Sequence, residues 1–194
     1  SSTSRGLGDV YKRQLLLDSG FIVSVDLIIA APKQTLDAAS RDIEAITALG
    51  AQHVSVYCLT WEQGTAFWGK RARGTLMPVA EDIEHEMFEL AIDRLSSSGY
   101  QQYEVSNFAQ PEMMCRHNEA YWDCRPWEAF GPGAARFDGR NRITNIRSTS
   151  AWIKNLITGK GVTGDVDAMT PEGAARERLC LLYTSPSPRD VEES

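Results

Sequence analysis

The sequence is poor in residues that bind metals, with three histidines and four cysteines among 194 residues. The cysteines are widely spaced, at Cys58, Cys115, Cys124 and Cys180. This spacing includes no Cys-x-x-Cys pair and is unlike the compact framework of small disulfide-stabilised domains. A chain of this length can bury a core without disulfides. We therefore expect reduced thiols and no structural zinc site built on paired cysteines.

Excess positive charge and long apolar runs are also missing. The formal net charge is −6 and the isoelectric point is about 5.1, whereas a nucleic-acid partner requires a basic surface. No apolar run reaches the length of a bilayer, and no signal peptide is visible. These absences predict a soluble cytoplasmic protein of one domain plus an appendage, with no nucleic-acid partner.

The two ends of the chain share a coding signature. Val10-Tyr11-Lys12-Arg13-Gln14 can be written GTG TAT AAG AGA CAG, and the reverse complement of that DNA encodes Cys180-Leu181-Leu182-Tyr183-Thr184. Both ends resemble translated sequencing-library adapters, so we expect residues 1–14 and 180–194 to be non-native tails that pack poorly. A natural disordered tail is the alternative for the Ser-Pro-rich end. The native part would then be a fragment over residues 15–179.

Alternating strand and helix patterns predict an α/β fold. Strands are predicted over residues 21–29, apolar on both faces, and over 53–59 and 101–106; helices are predicted from Thr35 to Gly50 and over 81–98. Units of this spacing give parallel strands, as in an incomplete barrel or a doubly wound sheet. We assign residues 15–147 to this part. Helices capped by Ser148 and Thr170 predict the start of a helical domain over 148–179.

Polar and small residues follow or interrupt the predicted strands. Asp26, Thr60 and Glu104 are expected at one rim, because ligands bind at the carboxyl ends of parallel strands. Asp26 is a carboxylate inside an apolar strand, which requires a hydroxyl, a cation or a ligand nearby, or hydrogen bonds from loop amides. Gly131-Pro132-Gly133-Ala134-Ala135 allows a ligand to approach the backbone closely, or forms only a tight turn.

The most concentrated chemistry lies in Cys115-Arg116-His117-Asn118-Glu119-Ala120-Tyr121-Trp122 and the adjoining Asp123-Cys124-Arg125-Pro126-Trp127. A histidine among aromatic residues is either a core histidine with satisfied hydrogen bonds or a ligand. A neutral imidazole is an ordinary axial ligand of heme iron, and aromatic rings can cover a porphyrin face. Zinc fits less well, because Cys115, His117 and Cys124 lack its usual ligand spacing.

The chain resembles the C-terminal part of the HemW-type radical S-adenosylmethionine (SAM) proteins, relatives of oxygen-independent coproporphyrinogen III oxidase. The matching pieces, in order, are Ser24-Val25-Asp26-Leu27-Ile28, Pro32-x-Gln34-Thr35, His53-Val54-Ser55-Val56-Tyr57, Leu59-Thr60-x-Glu62-x-Gly64-Thr65, Glu89-Leu90-Ala91-Ile92, Gly99-Tyr100, Tyr103-Glu104-Val105-Ser106-Asn107-Phe108-Ala109, Cys115-Arg116-His117-Asn118-x-x-Tyr121-Trp122 and Ala175-Arg176-Glu177-Arg178-Leu179. Many pieces in one order are more specific than any single motif.

The resemblance implies a partial TIM-like radical SAM barrel followed by the start of a helical domain. It makes His117 the heme ligand and Asp26 a contact to the SAM ribose. If His117 is not the ligand, the Cys115 thiolate is the next candidate. Ile28, Thr60 and Ala135 fall where the family lines the SAM pocket. The implied function is a heme chaperone that passes heme to an acceptor protein, which can be membrane-associated, and whose complete form carries SAM and a 4Fe-4S cluster.

Two departures from the family and two alternative functions accompany this resemblance. The Cys-x-x-x-Cys-x-x-Cys motif that holds the cluster is absent from the chain, and Ala30-Ala31-Pro32 stands where the family has Gly-Leu-Pro. The first alternative is a coproporphyrinogen III oxidase (dehydrogenase) that performs radical oxidative decarboxylation. The second is an α/β domain without a site. The His-Asn-x-x-Tyr-Trp box favours the chaperone.

Overall fold

The computed structural model describes residues 14–184, which divide into two compact units, one ending at Met114 and the other beginning at Cys115. Residues 1–13 and 185–194, assigned above to non-native tails, lie outside the described residues. Residues 180–184 of the second predicted tail continue the last helix, where Cys180 is exposed. No helix within the described part is long and apolar enough to cross a membrane.

The first unit contains a four-stranded open sheet in the order β1-β2-β4-β3. Its strands are β1 (Ser24–Ile29), β2 (His53–Cys58), β3 (Gln101–Gln102) and β4 (Asn107–Ala109). β1 and β2 are parallel, whereas β4 is antiparallel to both β2 and β3. The prediction of an α/β fold with parallel strands is confirmed, and the described strands do not close into a barrel.

Within residues 24–114, three helices accompany this sheet: α1 (Leu36–Thr47), α2 (Ala66–Ala72) and α3 (Glu81–Ser97). α1 begins as predicted, because the Thr35 side chain accepts a hydrogen bond from the Ala38 amide at 3.2 Å. The apolar stripes of α1 and α3 pack against one face of the sheet to form a single core. Its fully buried side chains include Ile43, Met87 and Leu95 from the helices and Ile29, Val54, Val56 and Phe108 from the sheet.

The prediction that the first strand is apolar and buried on both faces is wrong. Leu27 and Ile29 are buried against the helices, but Asp26 and Ile28 are exposed on the opposite face. Successive side chains of a strand point to opposite faces, and α1 and α3 cover the face that carries Leu27 and Ile29. Asp26 therefore lies on an open face rather than inside a closed core.

The predicted third strand over residues 101–106 is only partly formed: β3 covers Gln101–Gln102, runs in the direction of β1 and β2, and is separated from β2 by the antiparallel β4. The Tyr103 amide donates to the Asn107 carbonyl at 3.1 Å, and the Glu104 carboxylate accepts from the Ser106 amide at 3.0 Å. These hydrogen bonds reverse the chain direction, so β3 and β4 form a short antiparallel hairpin. Strand propensity alone gave no signal of this reversal, which depends on a side chain bonding to its local backbone.

A chain of hydrogen-bonded side chains joins three segments on the open face of the sheet. Ser24 Oγ in β1 lies 2.8 Å from His53 Nδ1, and His53 Nε2 lies 2.8 Å from the Tyr103 hydroxyl. The Tyr103 ring also packs edge-on against the imidazole, with centroids 5.7 Å apart. Burial lowers the pKa of His53 and outweighs the opposing attraction of Asp26. His53 is therefore a neutral link from β1 through β2 to the hairpin turn.

The second unit combines a three-stranded antiparallel sheet with three helices. The elements are α4 (Arg116–Trp122), β5 (Ala135–Phe137), β6 (Asn141–Asn145), α5 (Thr149–Ile157), β7 (Thr163–Ala168) and α6 (Pro171–Thr184). The predicted caps are confirmed, because Ser148 accepts from the Ala151 amide and Thr170 from the Gly173 amide. The segment 148–179, predicted to be helical, also contains β7, which pairs with β6.

Truncation of Met87 tests the core of the first unit. Met87 is fully buried on α3, so Met87→Ala is expected to lower the free energy of unfolding by about 2–5 kcal/mol. Met77→Ala makes the same chemical change at a side chain that is 63% exposed and should cost no more than about 0.5 kcal/mol. Urea unfolding followed by circular dichroism measures both changes. Equal losses for the two variants would contradict the assigned core.

Acidification tests the buried histidine. The lowered pKa of folded His53 means that the unfolded chain takes up its proton first, near the ordinary value of 6.5. The contribution of His53 to stability is therefore complete above pH 6.5 and declines as the pH falls below it, by no more than about 1.4 kcal/mol per pH unit.

The matched variants for this measurement are His53→Gln and His85→Gln. We expect His53→Gln to reduce the dependence of unfolding free energy on pH between about 7 and 5, since the titrating group is removed. His85 is an exposed histidine on α3, paired with Glu89, so its replacement serves as the control. A pH dependence that His53→Gln leaves unchanged would show that His53 titrates alike in the folded and unfolded chain.

Candidate functional site

His117 lies in α4 with its ring against an aromatic residue from outside the helix. The ring centroids of His117 and Trp127 are 6.2 Å apart and the two planes are nearly perpendicular, at 86°. Tyr121, one helical turn after His117, also contacts Trp127, with centroids 5.1 Å apart. The helical spacing of His117 and Tyr121 thus presents both rings to one tryptophan.

Trp127 is held by backbone and side-chain hydrogen bonds. Its amide and carbonyl pair with those of Phe137, both at 3.0 Å, and its indole Nε1 donates to the Ala135 carbonyl at 3.0 Å. The Trp127 and Phe137 rings are 5.1 Å apart. Trp127 belongs to the segment that the sequence singled out, but its position as the ring beside His117 depends on pairing with β5, which periodicity does not reveal.

The environment of His117 differs from that of a core histidine. His53 is buried and both of its ring nitrogens are hydrogen-bonded. His117 is exposed, and within residues 14–184 no hydrogen bond joins its side chain to another residue. An imidazole in this situation has a nitrogen lone pair available to an external ligand. The near-perpendicular contact with Trp127 is a packing contact between rings and not a hydrogen bond.

A cavity of about 210 Å³ adjoins this aromatic cluster within the second unit. Tyr121, Trp127 and Phe137 line its apolar side, and Arg142 and Glu177 line its polar side. The Arg142 guanidinium pairs with the Glu177 carboxylate and lies 6.0 Å from the Tyr121 ring centroid. The hydrogen bond to Glu177 raises the pKa of Arg142. This pair ties β6 to α6 beside the cavity.

The structure places the predicted SAM-contact residues in two different units. Asp26 and Ile28 share the exposed face of β1, and Thr60 follows β2 by two residues, at the carboxyl end of the neighbouring strand. Glu104 lies in the hairpin turn and is buried, donating no bond but accepting from Ser106 and Asn107. Ala135 lies in β5 of the second unit, and its carbonyl accepts the Trp127 indole proton.

The residues present do not fit an iron–sulfur cluster. Among the described residues, no group of three or more histidine, cysteine, aspartate or glutamate side chains could hold a metal ion. Burial and the nearby Glu84 raise the pKa of Cys58 to about 11, so this thiol is protonated at neutral pH. Because a cluster needs several closely spaced thiolates, Cys58, which belongs to no such group among residues 14–184, is unsuited to that role.

Several curated proteins with sequence similarity to this chain are called heme chaperone HemW. The chain is 34% identical over 144 residues to the heme chaperone HemW of Lactococcus lactis subsp. lactis (strain IL1403), which covers 74% of this chain and 38% of that protein. It is 37% identical over 134 residues to the heme chaperone HemW of Mycobacterium tuberculosis (strain ATCC 25618 / H37Rv), covering 69% and 34%. The chain thus spans less than half the length of these relatives. No family model matches it.

The fold is similar to that of a solved radical SAM enzyme. Coproporphyrinogen III oxidase from Escherichia coli aligns with a TM-score of 0.69 over 90% of this chain and 43% of that protein, at 16% identity. At this identity the likeness concerns the fold alone, and it agrees with the predicted partial radical SAM fold. The identities to the HemW proteins show that the chain belongs to the HemW-type radical SAM proteins and corresponds to a portion of one.

Proposed function

We propose that the protein represented by this chain is a heme chaperone that binds heme through His117 and transfers it to an acceptor protein. The observation that carries this proposal is the exposed His117 ring, whose nitrogens have no hydrogen-bond partner among the described residues. The similarity to two chaperones called HemW supports it. Membership in the radical SAM family further implies SAM and a 4Fe-4S cluster in the complete protein.

The residues around His117 suit a ligand that must be released again. Heme supplies an iron with open axial positions, to which a neutral imidazole donates a nitrogen lone pair. Trp127 limits rotation of the His117 ring, so less conformational freedom is lost on binding. The adjoining cavity of about 210 Å³ is smaller than pockets that enclose drug-sized ligands, which occupy about 300–1,000 Å³. The porphyrin would therefore lie on the surface, accessible to an acceptor.

For SAM, we propose that Asp26 accepts hydrogen bonds from the ribose hydroxyls and that Ile28 and Thr60, which belong to the same unit, line the pocket. The exposed position of Asp26 supports this proposal, because a carboxylate on an open face of β1 can accept bonds from a ligand. Ile28 on the same face adds apolar surface, being 55% exposed. No group of side chains within residues 14–184 could hold the cluster.

The competing candidate is a coproporphyrinogen III oxidase, since the solved structure of that enzyme shares the fold. The two functions differ in what happens to a tetrapyrrole. A chaperone takes up heme stoichiometrically and releases it unchanged, whereas the oxidase decarboxylates its porphyrinogen substrate. Assaying heme uptake and coproporphyrinogen decarboxylation side by side on the complete protein separates the two. Turnover without stable heme uptake would reject the chaperone.

Replacing His117 tests the heme ligand. Loss of a residue that merely orients a metal ligand typically lowers metal affinity about 10–100-fold, so His117→Ala is expected to cost at least about tenfold and to alter the Soret band. Heme titration of the chain, followed by absorbance, measures both effects. His85→Ala is the control, because His85 is an exposed histidine of the first unit. Unchanged affinity and spectrum in His117→Ala would make Cys115 the next candidate.

Replacing Asp26 tests the SAM contact. Asp26→Asn keeps the size of the side chain but removes the charge that strengthens hydrogen bonds from hydroxyls, so SAM affinity is expected to fall about tenfold. Equilibrium dialysis of the chain against SAM gives the affinity. Asp93→Asn, at an exposed position of α3, is the matched control. The ribose assignment fails if the two variants bind SAM equally well.

A further inference from the structure

The cavity beside Trp127 has walls of opposite chemical character. Tyr121, Trp127 and Phe137 form the aromatic side, while Arg142, Glu177 and Arg178 come from β6 and α6 on the polar side. Its volume of about 210 Å³ is several times the roughly 30 Å³ share of one water molecule. The space is too small for a porphyrin ring but large enough for a side arm of a larger ligand.

The charges that line this cavity do not balance. Arg142 is committed to its ion pair with Glu177, and Asp167 adds a weaker attraction to the same guanidinium. Arg178 also lines the cavity, and within residues 14–184 it makes no ion pair. The arginine–glutamate pair is neutral overall, which leaves Arg178 as the lining cation that has no ion-pair partner among residues 14–184. A guanidinium matches a carboxylate in both charge and fork geometry.

The Trp127 ring connects the cavity to His117, the residue proposed to bind the heme iron. Trp127 contacts His117 edge-on and also lines the cavity. Heme is the molecule proposed above to bind at His117. It carries two carboxylate side arms on one edge of an apolar ring. A ligand with a flat apolar body and a carboxylate arm suits an aromatic wall that ends at an unpaired arginine.

We propose that this cavity receives a carboxylate side arm of the tetrapyrrole and that Arg178 is the residue that binds it. The proposal rests on the proposed function and adds a second point of attachment beside His117. In this arrangement His117 binds the iron, and Arg178 binds a carboxylate side arm of the porphyrin. Two attachments that release separately also suit a protein that hands its ligand to an acceptor.

The test compares heme with heme dimethyl ester, in which both carboxylates are blocked. The chain and its variants are titrated with each compound in the same solvent mixture, and absorbance is recorded. Arg178→Gln is expected to weaken heme binding about tenfold while leaving the affinity for the ester unchanged, since a hydrogen bond to a charged group is lost only with heme. The unaltered chain should bind heme about tenfold more tightly than the ester.

Arg176→Gln is the matched control. Arg176 lies on the same helix, pairs with Glu172 and has a side chain that is 79% exposed, so its replacement should change neither affinity. Arg178→Gln that weakens heme and ester equally, or neither, would overturn the carboxylate contact while heme binding through His117 stands. If the unaltered chain takes up neither compound, the proposed function itself fails, and this inference fails with it.

Discussion

Burial of one face of the first sheet is the constraint on which the rest of that unit depends. α1 and α3 bring Ile43, Met87 and Leu95 onto Ile29 and Val54, and these side chains are withdrawn from water almost entirely. This burial supplies the main driving force for folding of the unit. Because side chains alternate along a strand, the same packing leaves the opposite face free for polar groups.

That free face shows how polar side chains can be tolerated beside a core. His53 keeps both nitrogens hydrogen-bonded, to Ser24 and Tyr103, and burial keeps it neutral at pH 7. A buried polar group without such partners would cost free energy of about 1–3 kcal/mol. Asp26 avoids this cost differently, by standing exposed on β1. The Asp26 carboxylate thus stays in water, while the neighbouring imidazole has a structural role.

The second unit uses aromatic contacts in place of a large aliphatic core. Trp127 is clasped to Phe137 through paired backbone hydrogen bonds, and it presents its ring to both His117 and Tyr121. These hydrogen bonds fix the Trp127 ring beside the exposed His117. The ion pair of Arg142 and Glu177 ties α6 to β6 and forms the polar side of the same cavity.

The sequence by itself determined those elements whose signals lie within one segment, such as helix periodicity and cap residues. The period of apolar residues predicted α1 and α3, Thr35 and Ser148 predicted helix starts, and the order of motifs predicted the radical SAM relationship. The sequence also pointed to His117, because that residue type and its neighbours are chemically distinctive. Only the tertiary structure decided the β3–β4 hairpin, the partners of His53 and the position of Trp127. These features join residues distant in sequence, as Ser24 and Tyr103 meet at His53, and periodicity along the chain carries no information about which distant segment will supply a partner.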